Sequence, residues 1–343
     1  MSSKASQDSI NILKQNLLAM QLREVTFKDL LLLDMPLDDV YTFNDNQFFV
    51  IISEATPITR ELIKSLLNEG VKTVFIKQKD LDVINNKLKN ELLRVTRGLS
   101  VGNAKENGVK QINYLSKNMA ELYKDPLNDE NLKTQFQCTT NLSKLLIEHR
   151  SFMPEFYTEL QKQSHHFTIS QPMMASLLLM GFLQQFRLFH EKDIEMIFMT
   201  SYFKDIGMSF VPEEKLEKKG LDIFDRKIIG KHAENSLSIL EGRVPFSRNH
   251  LNIIKNHHYL NERIKAIYKN ENFEPSDKML IGLETTIVAV MDVLVAMISD
   301  RPYRNGQTLF QSLELIKKIM ADDYPLEYKA LVNYLRYFFT KLG

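Results

Sequence analysis

Strand-forming patterns are confined to one short part of this chain, and the remainder has the periodicity of helices. Residues 41–43 and 48–52 are aromatic and β-branched runs on either side of the turn-forming residues 44–46, which predicts a β-hairpin. Residues 71–76 predict one further strand. From residue 110 onward, apolar residues recur at the three- and four-residue spacing of helices. We therefore predict a small α+β N-terminal domain followed by an all-α domain.

The boundary between the two patterns lies in a polar segment. Residues 84–110 are rich in lysine and asparagine and separate the strand-containing part from the helical part. A length of 343 residues also suits two domains better than one. We place a small α/β domain plus a linker helix at residues 1–100 and the helical domain at residues 101–343.

A helix is predicted between the hairpin and the strand at residues 71–76. Pro57 follows Thr56, and proline is favoured at the first helical position. Leu62 and Leu66 lie on one face of this helix, and Gly70 is placed to end it. Nothing in this part of the chain carries catalytic chemistry, so we expect a structural or partner-binding role for it.

Composition excludes several classes of protein. The formal net charge is +1, so no global field attracts nucleic acid or an anionic membrane, and we expect neither as a partner. Cys138 is the only cysteine, which excludes an intramolecular disulfide and a thiolate zinc site. The N-terminus lacks a signal-peptide pattern, and the most apolar run, residues 175–186, is too short for a spanning helix, which needs ~20 residues. We expect a cytoplasmic protein without a membrane span.

Histidine and aspartate occur in a pattern that can bind a metal. His232 lies in a predicted helix, and the pair His257 and His258 follows about one helix later. Asp205 and Asp292 lie in apolar helical runs, where a carboxylate is costly to bury unless a cation neutralises it. Imidazole and carboxylate together suit iron, manganese or zinc, which polarise phosphates. A buried arginine or an exposed helix face would satisfy Asp292 as well, so a structural role stays open.

Three short motifs resemble those of a known family. Residues 203–208 read Phe-Lys-Asp-Ile-Gly-Met, residues 218–220 read Lys-Lys-Gly, and residues 300–304 read Asp-Arg-Pro-Tyr-Arg. In this order, with the histidines between them, they resemble the HD-GYP family of metal-dependent cyclic di-GMP phosphodiesterases, which belongs to the HD superfamily. The N-terminal part also resembles the small domain often found ahead of HD-GYP modules. The resemblance covers roughly residues 25–85 and 165–340.

The resemblance implies an all-α HD-superfamily domain and assigns roles to particular residues. Arg301 and Arg304 would contact substrate phosphate through their guanidinium groups, although they could equally cap a helix or pair with Asp300 or Glu284. The metal would be a divalent ion, iron or manganese in preference to zinc. The implied metal ligands are Asp205, His232, His257, His258 and Asp292.

Several departures from the family pattern fall at the reaction centre. Lys204 replaces the histidine of the family's His-Asp pair, and Met208 replaces a lysine that contacts substrate phosphate. The upstream metal histidine, placed without gaps, falls on Pro172, and His165 or His166 could replace it only across a short insertion. A charged lysine has no lone pair and cannot bind a metal. We therefore predict at most one strongly bound divalent metal.

The loop that positions the nucleotide in the family is also missing. Tyr259 replaces the glutamate that follows the paired histidines, and residues 261–276 contain no glycine, so the Asp-Gly-x-Gly-Tyr-Pro loop is absent. Val295 replaces a second aspartate. Paired with Asp205 or Asp292, the lysine at position 204 would supply the charge of the missing second metal.

These features leave three functional hypotheses. The first is a degenerate HD-GYP-like cyclic di-GMP signalling module, non-catalytic or weakly catalytic, that binds the nucleotide, a protein signalling partner or both. The second is an active metal-dependent cyclic di-GMP phosphodiesterase with an unusual metal site. The third is a helical interaction scaffold in which the histidines and aspartates are structural. Several departures at one reaction centre favour the first hypothesis.

Overall fold

A computed structural model divides the chain into two compact units, Met1–Glu91 and Leu92–Gly343. It describes residues 2–163, 167–186, 188–216, 218, 220–271, 281–301 and 304–342. The described ranges do not include His165, His166, Lys219, Pro302 or Tyr303. They also do not include residues 272–276, the last part of the segment in which the sequence lacks the family's loop.

The N-terminal unit contains a four-stranded antiparallel sheet with strand order β1-β4-β2-β3. Helices precede, separate and follow its strands. The elements are α1 (Ser2–Gln21), β1 (Leu22–Val25), α2 (Phe27–Leu30), β2 (Val40–Asn44), β3 (Gln47–Ile52), α3 (Arg60–Asn68), β4 (Val74–Lys77) and α4 (Gln78–Arg97).

The predicted hairpin is confirmed as β2 and β3. Asn44 pairs with Gln47, and the two residues between them, Asp45 and Asn46, have φ angles of 47° and 61°. Aspartate and asparagine tolerate this left-handed conformation better than most residues, which is why they favour two-residue hairpin turns. The turn chemistry is therefore local and readable from the sequence.

The helix predicted from Pro57 begins later, at Arg60. Thr59 is its N-cap, and its hydroxyl accepts a hydrogen bond from the backbone N–H of Leu62 at 3.1 Å. A threonine that satisfies a free N–H group defines a helix start more strongly than a proline two positions earlier. The predicted end is correct, because Gly70 follows the helix with a φ of 85°.

A buried carboxylate holds the loop before β2 in the N-terminal unit. Asp80, in the first turn of α4, is fully buried. Its two oxygens accept hydrogen bonds from the backbone N–H groups of Leu37 and Asp38, at 2.7 and 3.1 Å. Hydrogen bonds to a charged acceptor are stronger than neutral ones. Asp80 therefore fixes the loop against α4.

The second unit is helical. After Arg97, the pairing of Arg301 with Arg304 is the one β-type bridge among the residues that the structure describes. Short 3₁₀ turns occur at Arg150–Phe152 and Ile206–Phe210. The helices are α5 (Ala104–Lys124), α6 (Asp129–Glu148), α7 (Met153–Gln161), α8 (Phe167–Leu183), α9 (Glu191–Phe203), α10 (Glu213–Leu216), α11 (Ile223–Gly230), α12 (His232–Leu240), α13 (Arg248–Asn256), α14 (Asn261–Lys269), α15 (Leu283–Ile298), α16 (Leu309–Met320) and α17 (Pro325–Thr340).

Helix α8 forms the centre of this unit. Every side chain from Thr168 to Leu183 is buried, and α5, α7, α9, α15 and α17 pack around it. A helix that is apolar on all sides must be surrounded by other elements. The fold class, an α+β unit followed by an all-α unit, is as predicted. Among the described residues, no helix is both long enough and apolar enough to cross a membrane.

We expect Asp80→Ala to destabilise the N-terminal unit by about 1–3 kcal/mol, because two backbone N–H groups lose a charged acceptor. Hydrogen exchange of the β4 amides during mild denaturation would measure this. Asp82→Ala, on the exposed side of the same helix, is the matched control and should change stability by less than about 0.5 kcal/mol. Equal losses in the two variants would contradict the assigned role of Asp80.

Candidate metal centre

The centre is built on the turn that follows α9. The chain leaves the helix at Lys204 and enters the 3₁₀ turn after Asp205. The N–H of Gly207 donates to the Ser236 hydroxyl at 2.8 Å, and this hydroxyl donates to the Lys204 carbonyl at 2.7 Å. A Cβ atom at Gly207 would lie 2.1 Å from the carbonyl oxygen of His232. Only glycine allows α12 to lie this close to the turn, and this contact brings His232 beside Asp205.

Asp205 and three histidines converge from three parts of the chain. Asp205 Oδ1 lies 3.3 Å from His232 Nε2 and 3.2 Å from His257 Nε2. His232 Nε2 in turn lies 3.2 Å from His257 Nε2 and 2.9 Å from His258 Nε2. One ligand-type atom from each of the four residues lies within 4.8 Å of every other. The structure thus brings together four of the five predicted metal ligands.

Backbone carbonyls orient two of these imidazole rings. His232 Nδ1 lies 2.6 Å from the carbonyl of Ile229, and His257 Nδ1 lies 2.6 Å from the carbonyl of Ile254. A carbonyl only accepts hydrogen bonds, so Nδ1 carries the proton, and in the neutral ring Nε2 has a lone pair directed into the cluster. This arrangement is typical of metal-binding histidines. Lone pairs that face one another repel, so the donor set fits a bound cation.

Two protonation states in the cluster suit metal binding. Burial, and then the neighbouring His257, lower the pKa of His258 to about 3, so this ring is neutral at physiological pH. Burial would raise the pKa of Asp205, yet the Lys204 ammonium and the adjacent rings of His232 and His257 hold it well below its usual range, so Asp205 is an ionised carboxylate. Burial alone would lower the pKa of His232, but the interaction with Asp205 outweighs it and raises the pKa, so a metal that binds at His232 would displace a proton.

Lys204 and Asp292 form an ion pair beside the four-residue cluster. Lys204 is 0% exposed, and its Nζ contacts Asp205 Oδ2 and lies 2.6 Å from Asp292 Oδ1. Burial alone would lower the pKa of Lys204, but the two carboxylates outweigh burial and raise it, so the side chain is a charged ammonium. Asp292, predicted as the fifth metal ligand, is paired with this ammonium. Met208, half-buried in the 3₁₀ turn, offers no charge in place of the family's lysine.

Pro172, on which the family's upstream histidine falls if the sequences are placed without gaps, lies inside α8. Proline has no N–H group, so the Thr168 carbonyl, four residues earlier, loses its helical partner. The Tyr123 hydroxyl on α5 lies 3.0 Å from that carbonyl and also 3.0 Å from the Asp205 carbonyl. Tyr123 thereby ties α5 to both α8 and the metal centre. Sequence reasoning missed it, and the proline within an apolar helix was the one available signal.

Each of the two predicted phosphate-binding arginines has other contacts in the structure. Arg304 directs its guanidinium at the carbonyls of Ala296 and Met297, at the end of α15, and so caps that helix. Arg301 lies over the Phe167 ring, 4.0 Å from its centroid, and lines a cavity of about 370 Å³. None of the four cluster residues is among the residues that line this cavity. A phosphate-binding role for either arginine stays a prediction.

We expect Gly207→Ala to destabilise the second unit by about 3 kcal/mol, because the added methyl group meets the backbone of α12 rather than a movable side chain. Gly230→Ala is the matched control. A Cβ there meets nothing within 4 Å, and alanine favours the helix by up to about 1 kcal/mol. Denaturant unfolding of both variants would measure the difference. A fully stable Gly207→Ala protein would show that the close approach of α12 is not required.

No protein-family model matches this chain, and no curated protein matches its sequence. Among solved structures, it is similar to one described as "Bd1817, a HDG"Y"P protein from Bdellovibrio bacteriovorus". The two have 12% sequence identity and a TM-score of 0.56, over 92% of this chain and 99% of the other. The likeness therefore concerns the fold. This chain has the fold of an HD-GYP protein, and its cluster of Asp205 and three histidines could hold a metal ion.

Proposed function

We propose that the second unit is a degenerate HD-GYP-like module of cyclic di-GMP signalling. It binds at most one divalent metal and acts through binding of the nucleotide, a protein partner or both, without appreciable hydrolysis. The single observation that carries this proposal is the buried Lys204 ammonium, which pairs with two carboxylates where the family sequence has a metal-binding histidine. The similarity in fold to an HD-GYP protein supports the proposed relation to cyclic di-GMP.

One metal ion fits the donor set. One ligand atom from each of Asp205, His232, His257 and His258 lies within 4.8 Å of the others, and the Nδ1 atoms of His232 and His257 face backbone carbonyls, which leaves their Nε2 atoms for a metal. Mixed imidazole and carboxylate ligands suit Fe²⁺ or Mn²⁺, as the family resemblance implies. Bound there, such an ion would supply Lewis-acid polarisation of a phosphate oxygen.

The remaining parts of a hydrolytic site are weak or absent. Met208 provides no cation for the substrate phosphate, and the Arg304 guanidinium is directed at the carbonyls of α15. Lys204 cannot bind a second metal. Removing one preorganised electrostatic contact costs on the order of 10²–10³ in rate, and losses at one site are not simply additive. One or two such losses make turnover too slow for signalling.

We expect purified wild-type protein to bind about one equivalent of Mn²⁺ or Fe²⁺. His257→Ala removes a direct ligand, so its affinity should fall by more than the roughly 10–100-fold that loss of an outer hydrogen-bond partner costs. Elemental analysis and calorimetric titration would measure both quantities. His149→Ala changes an exposed histidine outside the cluster and should leave binding unchanged. Equal affinity of the His257→Ala and wild-type proteins would contradict the assigned site.

We expect no appreciable conversion of cyclic di-GMP by the wild-type protein in added Mn²⁺ or Fe²⁺. The double change Lys204→His, Met208→Lys should not restore hydrolysis, because the nucleotide-positioning loop is still absent. Chromatography of the products would measure this. Metal-dependent formation of the linear dinucleotide or GMP by the wild type, abolished by Asp205→Ala, would instead establish the active phosphodiesterase with an unusual metal site.

A further inference from the structure

We propose that the Lys204 ammonium is a permanent second cation of the metal centre, and that it determines that the centre takes one divalent metal instead of two. Lys204 is thus a specificity-determining residue for the number of metals. The inference rests on the proposed function, since it takes the Asp205 and histidine cluster as the site of the single metal.

The two oxygens of Asp205 face different partners. Oδ1 faces the imidazole nitrogens of His232 and His257, at 3.3 and 3.2 Å. Oδ2 contacts the ammonium of Lys204. A carboxylate that bridges two metals divides its oxygens in the same way, one to each cation. Here the second oxygen binds a cation that belongs to the polypeptide.

The ammonium also meets the charge of a second carboxylate. Lys204 Nζ lies 2.6 Å from Asp292 Oδ1. Among the described residues, Asp292 forms its ion pair with this ammonium. An ammonium has three donors and no lone pair, so it can satisfy two carboxylates but cannot bind a metal. It also repels a dication brought against the same oxygens. The pair of carboxylates is therefore closed to a metal while Lys204 is present.

Removal of the Lys204 ammonium would make the two carboxylates available to a metal. Asp205 and Asp292 are 16% and 23% exposed, so neither charge is well solvated. Two poorly solvated carboxylates without a partner are costly, and a divalent cation is the partner that best satisfies them. A neutral residue at position 204 should therefore open a second metal position between Asp205 Oδ2 and Asp292.

The first experiment counts metals in the full-length chain. After chelation, wild type, Lys204→Met and Lys204→His are titrated with Mn²⁺ and analysed by equilibrium dialysis with elemental analysis. Wild type should bind one Mn²⁺, and each single variant should bind two, with the spin coupling of a manganese pair in the electron paramagnetic resonance spectrum. The double variant Lys204→Met, Asp292→Asn lacks the second carboxylate and should return to one. Lys144→Met, at an exposed lysine, is the matched control.

The second experiment measures thermal unfolding in chelator. Lys204→Met should lower the Tm by roughly 10 °C, because it leaves two carboxylates unpaired, and Mn²⁺ should recover most of that loss. The double variant should lose less, and the Lys144→Met control should not change. If Lys204→Met does not fold, Lys204→His, which introduces a neutral ligand, provides the same two readings.

The outcomes separate the two claims. Two Mn²⁺ in the wild type would overturn this inference and leave metal binding by the cluster intact. A single Mn²⁺ in both single variants, with no recovery of Tm, would also overturn it. No Mn²⁺ in the wild type, whatever the variants bind, would overturn metal binding by the cluster and with it this inference.

Discussion

The structure around the candidate site depends on keeping the Asp205 carboxylate ionised in a place that is mostly out of water. A buried carboxylate is costly unless positive charge or hydrogen-bond donors surround it. Asp205 contacts the Lys204 ammonium with one oxygen and faces the imidazole rings of His232 and His257 with the other. The backbone contact between Gly207 and α12 and the hydrogen bond from Tyr123 hold the turn in place. Both the charge balance and the packing of the turn therefore depend on the position of Asp205.

Sequence reasoning succeeded where the determining interactions are local or where motif order reflects the fold. The Asp45-Asn46 turn specifies its hairpin through its own backbone preference, so the strands on either side were predictable. β1 was not predicted, because Arg23 and Glu24 give it a polar, strand-poor sequence. It exists because its backbone pairs with β4, 49 to 55 residues later in the chain. A contact of this kind leaves no pattern in the strand itself.

Within the site, the convergence of Asp205 with the three histidines followed from the resemblance of their order to the motifs of a known family, and so did the pairing of Lys204 with carboxylates. The contacts of Arg304 did not. Its guanidinium is directed at the end of α15, and its backbone pairs with that of Arg301. A motif match identifies a segment of the fold, whereas the partner of each side chain depends on the tertiary structure around it. The same motif can therefore cap a helix in one protein and contact a phosphate in another.

The burial of Lys204 has a consequence for how the protein depends on its surroundings. A metal ion must be acquired from solution, so its occupancy varies with supply, with competing proteins and with chelators. A lysine is provided during synthesis, once per chain, and cannot be exchanged or removed. The charge that faces Asp292 is therefore constant under metal starvation, and only a metal bound on the histidine side of the centre would respond to metal availability. One cation of the centre would thus belong to the polypeptide, whereas the other would be taken from solution.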